Sequence, residues 1–198
     1  MHSEFQNIIK KWTANQSIEV KIITLFEKVR DIPYGDIGSR KPLDVYSQNK
    51  GTCSGKHELL KALYKTLGIS VKDFIIIHNF KKLPVNYPIN IQQILEKTTI
   101  IDPHNFIKIK INNKWYIVDV TWDKALKKHG FPVNENWDGK SNMKISVTKG
   151  GEIYETEKPI VLKEKLLKNM SEEFQKERKI FLEKLTIWLD ILRRKNTI

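Results

Sequence analysis

The segment 104–121 constrains the fold more than any other part of this chain. Apolar and polar residues alternate through Phe106-Ile107-Lys108-Ile109-Lys110-Ile111, then Asn112-Asn113 supplies two residues tolerant of positive φ, and a strand pattern resumes over 114–121. The pattern is that of a β hairpin. With Asn112 and Asn113 as the two loop residues, Ile111 pairs with Lys114, and the register then sets Phe106 opposite Asp119 and His104 opposite Thr121. His104 and Asp119 become diagonal neighbours on one face, about 7–8 Å apart at the backbone, a gap that an imidazole and a carboxylate close between them. The other face carries Ile107, Ile109, Ile111, Val118 and Val120, an apolar set suited to the core.

Helical patterns flank this hairpin. Phe5, Ile8, Ile9 and Trp12 have helical spacing, and a second helix with Ser17 as N-cap carries Ile22, Ile23, Phe26 and Val29 on one face before Ile32-Pro33-Tyr34-Gly35 breaks it. After a polar loop a third helix begins at Cys53, ends at Gly68 and feeds a strand over 71–77. The stretch 132–159, with Gly139, Gly150 and Gly151, reads as a loop with one more hairpin. A long final helix has Ser171 as N-cap, Glu172 and Glu173 in its first turn, and Arg193, Arg194 and Lys195 in its last, an order that complements the helix dipole. Its stripe of Phe174, Phe181, Leu185, Trp188 and Leu192 predicts packing on the domain, with a homodimer contact or a membrane surface as its other uses. The expected architecture is α+β: a core domain over 1–160 with a helical N-terminal part and a small antiparallel sheet, and an amphipathic C-terminal helix over 161–198 packed on it. A chain of 198 residues suffices for one well-buried core.

The single cysteine lies in Gly51-Thr52-Cys53-Ser54-Gly55, at the start of the helix that follows. A thiol there sits near the positive end of the helix dipole, which favours the nucleophilic thiolate. Such a nucleophile requires a base and a group to orient the base, and the hairpin supplies both: His104 to move the proton and Asp119 to hold the imidazole. His57, four residues after Cys53 on the same helix face, is an alternative base, and Asp102 and Asp123 are alternative orienters without the hairpin pairing. The oxyanion hole is expected from the Cys53 backbone N–H together with a side-chain donor just upstream, Gln48 in preference to Asn49. Trp122 and Trp137 are candidates to line a substrate groove, with core packing as the alternative fate of each.

Composition narrows the partners. The net charge of +12 comes from lysines scattered through every segment rather than from a basic block interleaved with aromatics, which argues against nucleic acid. No apolar run approaches the length of a transmembrane helix. The N-terminal residues lack the pattern of a secretory signal, and one cysteine precludes an intramolecular disulfide framework, so a cytoplasmic setting is expected. Spacings that hold metals and glycine-rich phosphate loops are absent, so neither metal nor cofactor is expected.

Taken together, Gly51-Thr52-Cys53 opening a helix that ends Leu67-Gly68-Ile69, then His104, then Trp115-Tyr116-Ile117-Val118-Asp119-Val120-Thr121, resembles the core of transglutaminase-like proteins over roughly residues 18 to 123. Ile32-Pro33-Tyr34 is similar to that family's upstream segment. The resemblance implies a papain-like fold and a Cys53-His104-Asp119 triad. It departs where Asn105-Phe106 follows His104 in place of the family's frequent Ala and Trp, and where Ser70 replaces a frequent proline. The expected function is thiol-dependent acyl transfer on amide bonds of a peptide or protein substrate, hydrolytic first. Cross-linking transamidation, or a non-catalytic binding module that keeps the fold, are the alternatives.

Overall fold

The computed structural model describes residues 2–194. Four helices come first: α1 (His2–Thr13), α2 (Ile18–Arg30), α3 (Pro42–Gln48) and α4 (Cys53–Thr66). They are followed by β1 (Val71–Asn79), α5 (Ile89–Lys97), β2 (Ile101–Ile111), β3 (Lys114–Val118) and β4 (Lys149–Thr156), and then by α6 (Pro159–Lys168) and α7 (Glu172–Arg194). The strands form one antiparallel sheet in the order β3-β2-β1-β4, so the chain is α+β.

The hairpin has the expected register. Ile111 pairs with Lys114 and Ile107 with Val118, and Asn112 and Asn113 take φ values of 48° and 63°, which set the right twist for a two-residue turn. Strand alternation then divides β2. Ile107 and Ile109, with Val118 and Val120, join the core built with Leu25, Phe26, Leu59 and Leu63 of α2 and α4. Phe106 lies on the other face with Phe74, Ile76 and Val147, and His104 shares that parity. β3 is shorter than the pattern over 114–121 predicts, because its N–H groups leave the ladder: Asp119 N–H points to Met143 Sδ, and Val120 N–H donates to His57 Nε2.

Four elements differ from the sequence reading. The polar loop before Cys53 contains α3, with Pro42 at its start. The stretch between the first two strands contains α5. The hairpin expected in 132–159 is instead one strand, β4, which pairs with β1 rather than with a sequence neighbour. The single C-terminal helix expected over 161–198 is two helices, since α6 begins at Pro159 and stops before Ser171, whose Oγ accepts the Phe174 N–H at 3.2 Å. Lys195, expected in the last turn of α7, lies outside the described residues.

The glycines around Cys53 supply room rather than a special backbone angle. Neither Gly51 nor Gly55 has a positive φ; each lacks room, since a Cβ would come within 2.9 Å and 2.8 Å of the Val45 side chain, respectively. They let α3 pack tightly against the start of α4. Beyond the sheet, α7 places Phe181, Leu185 and Leu189 into a second apolar cluster with Phe80, Ile91, Trp122, Leu126 and Cys53 itself. No helix among the described residues is long and apolar enough to cross a membrane.

Leu185 is fully buried and Ile187 is 61% exposed on the same helix. Leu185→Ala should therefore lower the unfolding free energy by about 2–5 kcal/mol in a denaturant titration, whereas Ile187→Ala should change it by less than about 0.5 kcal/mol. Equal effects would mean that α7 does not pack by this face.

Candidate active site

The site forms where the start of α4 meets the end of the β2–β3 hairpin. Cys53 is the first residue of α4, and its N-cap, Thr52, makes no side-chain cap bond. The Thr52 side chain therefore does not occupy the backbone N–H groups at the start of the helix, which point outward past Cys53. His104 comes from β2 and Asp119 follows the last residue of β3, and His104 Nε2 lies 2.8 Å from Asp119 Oδ2. The bond leaves Nδ1 as the ring nitrogen for the Cys53 thiol, with which the imidazole interacts.

Asp119 is 1% exposed and its carboxylate is saturated with donors. Oδ1 accepts from Thr121 N–H at 3.0 Å and Thr121 Oγ1 at 2.6 Å, and Oδ2 accepts from Ser146 N–H at 2.9 Å as well as from His104. Burial opposes the charge, but the His104 charge and hydrogen bond, with His57 and Thr121, hold the carboxyl well below its ordinary range. Burial likewise opposes the charge on His104, yet Asp119 and then Cys53 outweigh it and raise the imidazole to about 9. For Cys53, burial pushes the thiol up, whereas the charges of Lys163 and His104 bring it down to about 6.

His57 is committed elsewhere. Its Nδ1 donates to the Cys53 carbonyl at 2.7 Å, and its Nε2 accepts the Val120 N–H at 3.2 Å, so the ring bridges the start of α4 to the end of the hairpin. Burial pushes it down to about 4, leaving a neutral ring with both nitrogens occupied. A carboxylate does stand near it, Asp119 Oδ1 at 3.7 Å, which the sequence did not indicate. Asp102 and Asp123 are also occupied. Arg178 of α7 donates to Asp102 at 2.6 Å, and Arg193 of α7 donates to both oxygens of Asp123, at 3.1 and 2.6 Å.

Gln48 is not beside Cys53 as expected, and Trp122 and Trp137 take the core-packing fate rather than the groove. Gln48 is exposed at the end of α3 and is not among the residues lining the cavity beside Cys53. Trp122 is 2% exposed, packs between Tyr34 and Phe131, and donates Nε1 to the Ser146 carbonyl at 2.7 Å. Trp137 packs edge-on against Phe26 and donates Nε1 to the Ser141 carbonyl at 2.8 Å. Both indoles are core residues, because each satisfies its one donor internally and neither lines that cavity.

The cavity itself has a volume of about 250 Å³ and is lined by Tyr34, Arg40, Thr52, Cys53, Asp102, Lys163 and Arg178, among others. Sequence reasoning missed Arg40, Lys163 and Arg178, since no local pattern links them to the thiol. Among the described residues, no three His, Cys, Asp or Glu side chains are grouped to hold a metal ion.

No protein-family model matches the chain, and no curated protein matches it significantly. Among solved structures, it is similar to a "putative cysteine protease" from Cytophaga hutchinsonii, at 16% identity and a TM-score of 0.44. The match covers 78% of this chain and 48% of that one, so the chain spans about half the length of that protein.

The two shifted groups predict opposite dependences of stability on pH. An unfolded cysteine titrates near about 8.5, so between that value and the folded value of about 6 the unfolded chain binds the extra proton, and Cys53 adds stability as pH rises. His104 does the reverse: its contribution is complete below about 6.5 and is lost as pH rises through about 9. Cys53→Ser removes the rising contribution, and it lessens the His104 one by the part that the thiolate supplies. Denaturant titrations should show this variant losing ground to the wild type between about pH 6 and 8.5, at on the order of 1 kcal/mol per pH unit. A difference that does not change with pH would mean that the thiol is unperturbed.

Proposed function

We propose that the chain is a cysteine-dependent amide hydrolase in which Cys53 attacks the carbonyl carbon, His104 carries the proton and Asp119 fixes the imidazole. The observation that carries this reading is the 2.8 Å His104–Asp119 bond, buried in the same site as a thiol whose pKa is lowered to about 6. With the imidazole raised to about 9, the pair stands as thiolate and imidazolium at neutral pH.

The thiolate forms a C–S bond to the amide carbon, and the oxygen takes the negative charge, facing the open N–H groups of the α4 first turn, Cys53 N–H among them. The imidazolium then gives its proton to the leaving nitrogen, the C–N bond breaks, and a thioester on Cys53 remains. His104, now neutral, takes a proton from water as the water attacks the thioester. The C–S bond breaks, and acid and thiolate are released. Asp119 keeps the Nε2–H tautomer throughout, so that Nδ1 always faces the sulfur. A primary amine in place of water would give transamidation by the same steps. Water is the default acceptor because it is always present. The transglutaminase-like resemblance of the Cys53, His104 and Asp119 segments supports the reading, with peptide or protein amides as substrates.

Iodoacetamide alkylation across pH tests the nucleophile without needing a substrate. Cys53 should alkylate with an apparent pKa near 6, and His104→Ala should move that value upward. A thiol that reacts only above about pH 8 in the folded wild type would sink the enzyme reading and leave a binding module. Asp119→Asn should fold and yet lose roughly 10³–10⁴-fold in turnover of peptide amides. The mass of the product formed with an added primary amine distinguishes the free acid of hydrolysis from the adduct of transamidation.

A further inference from the structure

Lys163 projects from α6 into the cavity beside Cys53. Its Nζ lies 3.6 Å from Cys53 Sγ, 2.8 Å from Ser54 Oγ and 3.9 Å from Asp102 Oδ2, and its side chain is only 12% exposed. Asp102 is the nearest carboxylate, but Arg178 of α7 is bound to it more closely, through Nε at 2.6 Å and through Nη2. Both guanidinium contacts go to Oδ1, so the ammonium stands between Oδ2 at 3.9 Å and the sulfur at 3.6 Å, nearer the sulfur.

We propose that Lys163 is a fourth catalytic residue, the cation that holds the Cys53 sulfur as thiolate from the side of α6. The inference rests on Cys53 being the nucleophile. The ionisable groups around the thiol come from every neighbouring element: His104 and Asp102 from β2, Arg178 from α7, Tyr34 and Arg40 from the segment between α2 and α3, and Lys163 and Glu164 from α6. Of these charges, the one that lowers the thiol most is that of Lys163, ahead of His104, with Asp102 acting against them. The hydrogen bond to Ser54 Oγ holds the ammonium at the helix start, where the dipole acts in the same direction. A lysine suits this place because its charge is compact and its stem reaches across the cavity from a helix packed on the sheet.

The same contact has a different meaning if Lys163 only covers the thiol, and the two roles move the pH profile differently. The full-length wild type, Lys163→Met, Lys163→Gln and Lys163→Arg are titrated in two ways: by ultraviolet absorbance of the thiolate, which does not depend on access, and by iodoacetamide alkylation. The Met and Gln variants should raise the apparent thiol pKa by about one unit or more, which slows alkylation near pH 6 by on the order of tenfold. The Arg variant should stay within a few-fold of the wild type. An unchanged thiolate titration in folded Met and Gln variants would overturn the inference, and faster alkylation at every pH would reassign Lys163 as a cover. If the wild type itself titrates near about 8.5 and does not respond to His104→Ala, the nucleophile reading fails instead. A wild type that responds to His104 but not to Lys163 refutes only this inference.

Discussion

Asp119 carries a charge that burial would penalise by several kcal/mol if the carboxylate stood alone, so each of its oxygens has to be met by donors. The donors come from separate parts of the chain: His104 from β2, Thr121 from just beyond β3, and the Ser146 N–H from the long connection to β4. That connection is shaped by the same requirement. Asn134 Nδ2 reaches the Asp119 carbonyl, the Lys144 carbonyl and Ser146 Oγ, which draws residues 134–146 around the end of the hairpin. The irregular segment is held by side-chain bonds, one of them from Ser146 N–H to the Asp119 carboxylate, rather than by a ladder. The end of β3, the commitment of His57 to Val120 and the orientation of His104 all follow from the same point.

The C-terminal helices combine two kinds of contact with the core. Phe181, Leu185 and Leu189 supply the apolar area, whereas Arg178 to Asp102, Arg193 to Asp123 and the Tyr34 carbonyl, and Lys50 to Asp190 supply directional ones. Buried ion pairs of this sort contribute little net stability but penalise a misdocked helix, because a slip would strand a buried carboxylate. They have a consequence for the site as well. Asp102 and Asp123, the two carboxylates nearest in sequence to His104 and Asp119, are taken by α7, and Asp119 is the one that meets the imidazole. Lys56 shows the same principle deeper in the core. It is fully buried, with Nζ donating to the carbonyls of Arg30 and Thr121, and burial pushes it down to about 7.

Much of the fold is legible in local pattern. The period of two in 106–111 and the Asn-Asn turn determine a register, and α2, α4 and α7 carry long apolar stripes with capping residues at their ends. α3 and α5 escape such a reading because they are short: seven and nine residues give too few turns for a stripe to stand out. β4 escapes because its partner is β1, more than seventy residues earlier, so no adjacent turn announces it. Residue type and proximity in sequence point to Gln48, Trp122 and Trp137, and neither property says which way a side chain faces once helices and loops have packed.

His104 and Asp119 are 15 residues apart and joined by one hairpin, so their meeting is a matter of strand register, which hydrogen bonding and turn chemistry settle locally. The sequence alone therefore determined that pair, together with a thiol at a helix start. Lys163 reaches that thiol across 110 residues, and Arg178 and Arg193 reach their carboxylates across 76 and 70. Only the tertiary structure decided these contacts, because the docking of a helix depends on the complementarity of whole surfaces, and no period along the chain encodes it.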